Sequence, residues 1–141
     1  MDKKEIPFLT TSQLSKLIEA KEVSPVEATE AYLDRIQEVD SKLNSYITIT
    51  GEQALEAARQ AEQEITQGQY RGPLHGVPLA VKDQFNTAGI RTTGGSAILE
   101  DFVPDEDATV MANLKKAGAV LLGKLNMSEF AMAEIHLVSK W

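Results

Sequence analysis

"GPLHGVPLAVKDQFNTAG", residues 72–89, carries an apolar run from Val77 to Val81 that ends on two adjacent charges, Lys82 and Asp83. A short apolar run bounded by glycine turns reads as a buried strand. Pro78 has no N–H to give to a ladder, so this strand is expected at a sheet edge or beside a bulge. Downstream, "ATVMANLKKAG" spaces Val110, Met111, Leu114 and Ala117 along one helical face, with Asp107 as the expected cap and Gly118 at C′. "AVLLG", residues 119–123, follows as a second buried strand. Strand, helix, strand in that order is the parallel type of connection, and it makes the fold class α/β.

Upstream, Thr11 or Ser12 can cap a first helix running to about Glu22, with Leu14, Leu17 and Ile18 in helical period. "SPVEATEAYLDRIQEVDSKL" gives a firmer start: Ser24 at N-cap, Pro25 at N1 and Glu27 at N3 form a capping box. Tyr32, Leu33, Ile36, Val39 and Leu43 then share one face. Residues 45–50, "SYITIT", alternate and are β-branched, which predicts a short strand. Gly51 opens a third helix with Ala54, Ala58, Ala61 and Ile65 on one face, and Gly68 ends it. From Asp83 to Asp107 no period holds, so a long functional loop is expected there, with one helical turn at Ala97 to Glu100. The last residues, from Lys124 on, read as loop plus helix.

Composition narrows the function classes. With 43% hydrophobic and 25% charged residues, the 141-residue chain can pack a core and is neither disordered nor membrane-like. Its net charge of -7, with no Lys/Arg cluster, argues against direct nucleic-acid binding. No cysteine is present, which excludes thiolate nucleophiles and thiolate metal sites and fits a cytoplasmic location. No apolar stretch of about 18 residues suggests a membrane span, and no cofactor is expected.

Few side chains stand out as reactive. Lys82 ends a strand, where α/β sheets gather functional groups over a crevice. Residue statistics alone favour a solvated lysine marking the strand exit. The sharper alternative is a general base, and any lysine in that role must lose about three pH units from the usual 10.4 to work near neutrality. Ser96 in "GGSA" lacks the second glycine of a nucleophile elbow, so it reads as a turn and helix-capping residue. His75 lies between glycine turns without a partner at a recognisable spacing and is expected as a turn or surface residue. Glu100, Asp101 and Asp105 to Asp107 read as solvated acids or helix-start charges. Met127, Phe130 and Met132 are expected in the core or lining a pocket. "GKLN", residues 123–126, is no P-loop.

Taken together, "GVPLAVKD", "TTGGSAIL" and "GAVLLGKLNMSEFAM", in that order and after the capped helix "SPVEATEAYLDRI", resemble the first half of the amidase signature family over about residues 8–132. Its relatives include aliphatic and aryl amidases and the A subunit of glutamyl-tRNA amidotransferase, which releases ammonia from glutamine. The resemblance implies the N-terminal portion of a layered α/β/α fold with a mixed sheet, as one truncated domain over 1–141 with a divergent tail at 133–141. It also implies a Ser–Ser–Lys triad. Lys82 takes the role of base, drawing a proton through a bridging serine, held by a cis peptide, from a nucleophilic serine that attacks the amide carbonyl. Met132 matches a substrate-pocket position.

Both serines of that triad lie in a segment of the form GGSSGGS, which these 141 residues do not contain. The tail "AEIHLVSKW" departs from the family's glycine-rich continuation and fits a frameshifted or prematurely ended frame, or a chosen boundary. The expectation is a fragment of an amide hydrolase, inactive alone. Its partners would be a small amide substrate and either amidotransferase subunits or a complementary C-terminal piece. The alternative is a non-catalytic interaction module, or half of a split enzyme.

Overall fold

The computed structural model describes residues 1–132. Four helices, α1 (Thr11–Glu19), α2 (Pro25–Leu43), α3 (Gly51–Thr66) and α4 (Thr109–Lys116), accompany three strands, β1 (Tyr46–Ile49), β2 (Pro78–Lys82) and β3 (Val120–Leu125). Short 3-10 turns occupy Lys3–Phe8, Ala97–Leu99 and Glu129–Ala131.

Local signals account for most boundaries. Ser24 accepts the Glu27 amide at 3.1 Å, with Pro25 in the first turn of α2. Asn44, left-handed at φ 50°, ends that helix, and the Asp40 carboxylate takes the following Ser45 amide at 2.8 Å. Two caps differ from expectation. α1 is capped by Thr10 rather than Thr11 or Ser12, because Thr10 and Gln13 exchange bonds in a complete capping box. It also stops at Glu19: Lys21 turns left-handed, and the Glu22 amide closes back on the Leu17 carbonyl. α4 is preceded by Ala108, with no side-chain cap. Asp107 instead accepts the Ala88 amide at 2.8 Å and Lys115 at 2.6 Å, tying the long loop to the helix.

The sheet order is β1-β3-β2, with β3 parallel to β2 and antiparallel to β1. The small sheet is therefore mixed, and β2, α4 and β3 supply the parallel unit. Pro78 lies on an edge strand, and the β2 register shifts between Leu79 and Ala80, so edge and bulge both accommodate it. Central β3 is the most buried strand and runs two residues beyond Gly123, through Lys124 to Leu125.

Two apolar clusters hold helices to sheet. Val120 and Leu122 pack with Ile36 of α2 and with Ala54 and Ala58 of α3. Ile6, Leu14, Ile18, Ala28, Ala31, Ile65 and Val77 join α1, α2 and α3 to the turn before β2. The inward face of α3 is lined largely by alanines, Ala54, Ala58 and Ala61. The buried face of α2 is centred on Ala28, Thr29, Ala31 and Ile36, and Leu43 is 64% exposed, so the expected stripe is rotated and does not reach the last turn.

Candidate active site

Alternation along the paired strands divides two lysines between opposite faces of the sheet. Lys82 stands opposite Leu125, and Val81 opposite Lys124. Neighbours across a ladder share a face and successive residues alternate, so Lys82 points to one side, and Lys124 and Asp83 to the other.

Lys82 is exposed, and its Nζ donates to the Asn126 carbonyl at 2.7 Å. Asn126 is itself anchored: its amide donates to Ser45 O at 2.7 Å, and its side chain donates to Asn44 O and accepts the Met127 amide. The turn after β3 is thereby tied to the turn before β1, and together they hold the lysine at the open end of the sheet.

On the opposite face the chemistry is dry. Asp83 and Lys124 are both fully buried, with Nζ 3.4 Å from Oδ1. Lys124 also donates to Phe85 O at 2.8 Å and Thr92 Oγ1 at 2.7 Å. Asp83 Oδ2 accepts the amide and the hydroxyl of Thr93, at 2.8 and 2.5 Å. The approach of Oδ1 to the ammonium is ionic rather than a well-aligned hydrogen bond. Burial lowers the Lys124 pKa, outweighing the upward pull of Asp83. The backbone of Asp83 is bound too, to Leu125 O and from the Gly94 amide. "TTGG" is thus a strap folded under the end of β2.

Several residues singled out in the sequence fall differently. Ser96 caps the Ala97–Leu99 turn through the Ile98 amide and donates to Glu129, a capping role as expected, but at 1% exposure. His75 lies in the turn before β2, as expected, but it is 1% exposed rather than at the surface. Its Nδ1 accepts the Arg71 amide at 3.1 Å, and its Nε2 lies 3.0 Å from Glu64 of α3, outside good hydrogen-bond alignment. Burial pushes the His75 pKa down, and this outweighs the nearby Glu64 carboxylate. Among the acids, Asp101, Asp105 and Glu106 are exposed, as expected. Met127 is buried, whereas Phe130 is 45% exposed and lines a cavity of about 180 Å³ with Gln84, Asn86, Thr92, Gly94, Leu99 and Phe102. Met132 is 76% exposed, so it is no core residue. The tail 133–141, including the expected final helix, lies outside the described residues.

The Asp83–Lys124 pair was not anticipated from the sequence. The available signal was a lysine between Leu122 and Leu125 in an apolar run, one of the few places where a charge must find a buried partner. A roomier groove of about 500 Å³ lies between the N-terminal turn and α2, beside Phe8 and Arg35, but Lys82 does not line it.

A family model of amidases matches residues 27–136. The chain belongs to the amidase family. It is 57% identical over 128 residues to the A subunit of glutamyl-tRNA(Gln) amidotransferase from Geobacter sp. strain M21, and 53% to that from Moorella thermoacetica. Each alignment covers 91% of this chain and 26% of the relative, so the chain spans about a quarter of the length of these amidase relatives. Among solved structures, the native peptide amidase of Stenotrophomonas maltophilia superposes with a TM-score of 0.86 at 37% identity, over 96% of this chain and 29% of that one. An amidase family protein of Bacillus anthracis matches at 0.80 and 40%, over 90% and 26%. The described residues are therefore a partial amidase α/β fold, and among them no helix is long and apolar enough to cross a membrane.

Proposed function

We propose that this chain supplies the lysine base and one wall of the acyl-transfer site of an amide hydrolase, acting on a linear carboxamide or, as an amidotransferase A subunit, on glutamine. The observation that carries this reading is Lys82: an exposed ammonium at the C-terminal end of β2, held by the Asn126 carbonyl at 2.7 Å. In the Ser–Ser–Lys scheme that end of the sheet faces the two serines. Lys82, once neutral, accepts a proton relayed from the nucleophilic serine as it attacks the amide carbonyl, and returns one to the departing amine. Water or another acceptor then cleaves the acyl-serine ester.

The 141 residues hold no GGSSGGS segment, so on this reading they do not turn over alone. Glutamine as substrate draws on the names of the curated relatives, and a partner amidotransferase subunit belongs to the same proposal. Met132, open to solvent here, would meet substrate only once the rest of such a site covers it.

A second reading is a non-catalytic interaction module. It draws on exposed apolar side chains, Ile98 at 81%, Val103 at 49% and Met132 at 76%, that invite a partner. Ammonia release separates the two. The purified chain, given glutamine or a simple carboxamide, is expected to yield none. Mixing with a C-terminal piece of a relative carrying the serine segment is expected to restore it. Binding of an amidotransferase subunit without restored turnover favours the module. Turnover by the chain alone, lost in Lys82→Ala, overturns the predicted inactivity.

A further inference from the structure

We propose that Lys124 is a positioning residue for Lys82: from the opposite face of the sheet it holds the backbone on which Lys82 stands, and it neutralises the carboxylate that follows Lys82 in sequence, so that no anion fixes the Lys82 proton. The proposal rests on the reading of Lys82 as a base.

Two sets of contacts carry it. The first is mechanical. The three contacts of the Lys124 ammonium, to Asp83, Phe85 O and Thr92 Oγ1, reach the end of β2, the loop after it and the threonine strap. Asp83 returns bonds to Thr93, Leu125 and Gly94. Lys82 is the residue next to this knot, so its Cα has little freedom, whereas its side chain is exposed and bound to the Asn126 carbonyl.

The second is electrostatic. A base lysine beside a free carboxylate is held as the ammonium. Asp83 adjoins Lys82 in the chain, and its charge is spent internally on Lys124 and Thr93. Of the ionisable groups on the neighbouring loops, Glu129 accepts from Ser96, and Arg91 donates to Ile47 O and Thr48. Among the described residues, no carboxylate lies within ion-pair distance of Lys82.

Trace acetylation with acetic anhydride at pH 8, read by mass spectrometry and normalised to exposed Lys4, reports the free-base fraction of Lys82 in the 141-residue chain. Lys124→Met releases the Asp83 charge. At a separation on the order of 10 Å this lowers the Lys82 rate by about threefold. Asp83→Asn leaves the Lys124 charge unbalanced and raises the rate by a similar factor. The double variant D83N/K124M restores neutrality and returns it to the starting value. A purely structural role predicts the opposite sign for Lys124→Met, since a loosened strap frees the already exposed Lys82 from the Asn126 carbonyl and speeds its acetylation. Equal rates in all variants, or a faster rate in Lys124→Met, overturn the proposal. If Lys124→Met does not fold, D83N must still exceed the double variant by about threefold, and equality there overturns it as well. No substrate is present, so failure here leaves the base reading of Lys82 to be judged by turnover.

Discussion

Gly118→Ala should cost this chain a large part of its stability, for a reason that lies far off in the sequence. Gly118 has φ +79°, and a Cβ built there sits 2.3 Å from His75 Cδ2. Carbon atoms need about 3.5–4.0 Å, so one side must yield by more than 1 Å. The ring is badly placed to do so: its side chain has no exposure, Nδ1 holds the Arg71 amide, and Nε2 faces Glu64. Left-handed strain contributes about 1–2 kcal/mol, and overpacking a filled site about 1–3, together about 2–5 kcal/mol. Domains of this size have only about 5–15 in total. Urea unfolding followed by circular dichroism reads the loss as a midpoint lower by roughly 1–2 M. The mechanism adds a second requirement. His75→Ala makes room for the new methyl, so H75A/G118A should be less destabilised than the sum of the single variants by about 1 kcal/mol or more. A Gly118→Ala cost below about 0.5 kcal/mol, within the range of ordinary surface changes, or strictly additive single variants, would refute the reasoning.

The same histidine gives the chain an acid edge. Burial holds the folded His75 pKa below its usual 6.5, so the unfolded chain binds the proton first. Its contribution to stability is then complete above about pH 6.5 and is lost as pH falls through the lower folded value. Glu64, held below its usual range by Arg71 against the opposing effect of burial, adds a further loss in the carboxylate range. Urea midpoints at pH 7.5, 6.5 and 5.5 check this, and a flat profile across all three counts against it. At the helix starts, Ser24→Ala and Thr10→Ala should each lower stability by about 1 kcal/mol, with Ser24→Gly nearer neutral. A loss under a few tenths of a kcal/mol for Ser24→Ala would remove the cap from the account.

How much of this was legible depended on how local each cause is. The Ser24-Pro25 start of α2, the alanine face of α3 and the parallel strand, helix, strand unit rest on signals within a few residues, and they stand where the sequence places them. The caps of α1 and α4 went astray by one residue or one role. Thr10, Thr11 and Ser12 are chemically similar, and Asp107 binds the Lys115 side chain in the last turn of α4 and the Ala88 amide of the loop rather than the first amides of the helix. His75 is in a turn, as its flanking glycines indicate, but its burial is made by Gly118 and Glu64, which only the fold brings to it. Lys124 was hidden by ending the strand at Gly123. One more ladder step places a lysine in the core, and a buried lysine demands the partner that Asp83 provides. The end-of-strand position of Lys82 was visible at once; the support beneath it was not.

The most direct test of the account is turnover in an active full-length enzyme made by joining residues 1–132 to the remaining part of one of the amidotransferase A subunits it matches. Ammonia release from glutamine and from a simple carboxamide would be compared for that enzyme and its Lys82→Met variant. A base in the acyl-transfer step predicts a fall in kcat of about 100-fold or more, with binding of substrate retained. A Lys82→Met enzyme within about threefold of the parent, far short of the loss expected for a general base, and with the same pH profile, would contradict the central claim.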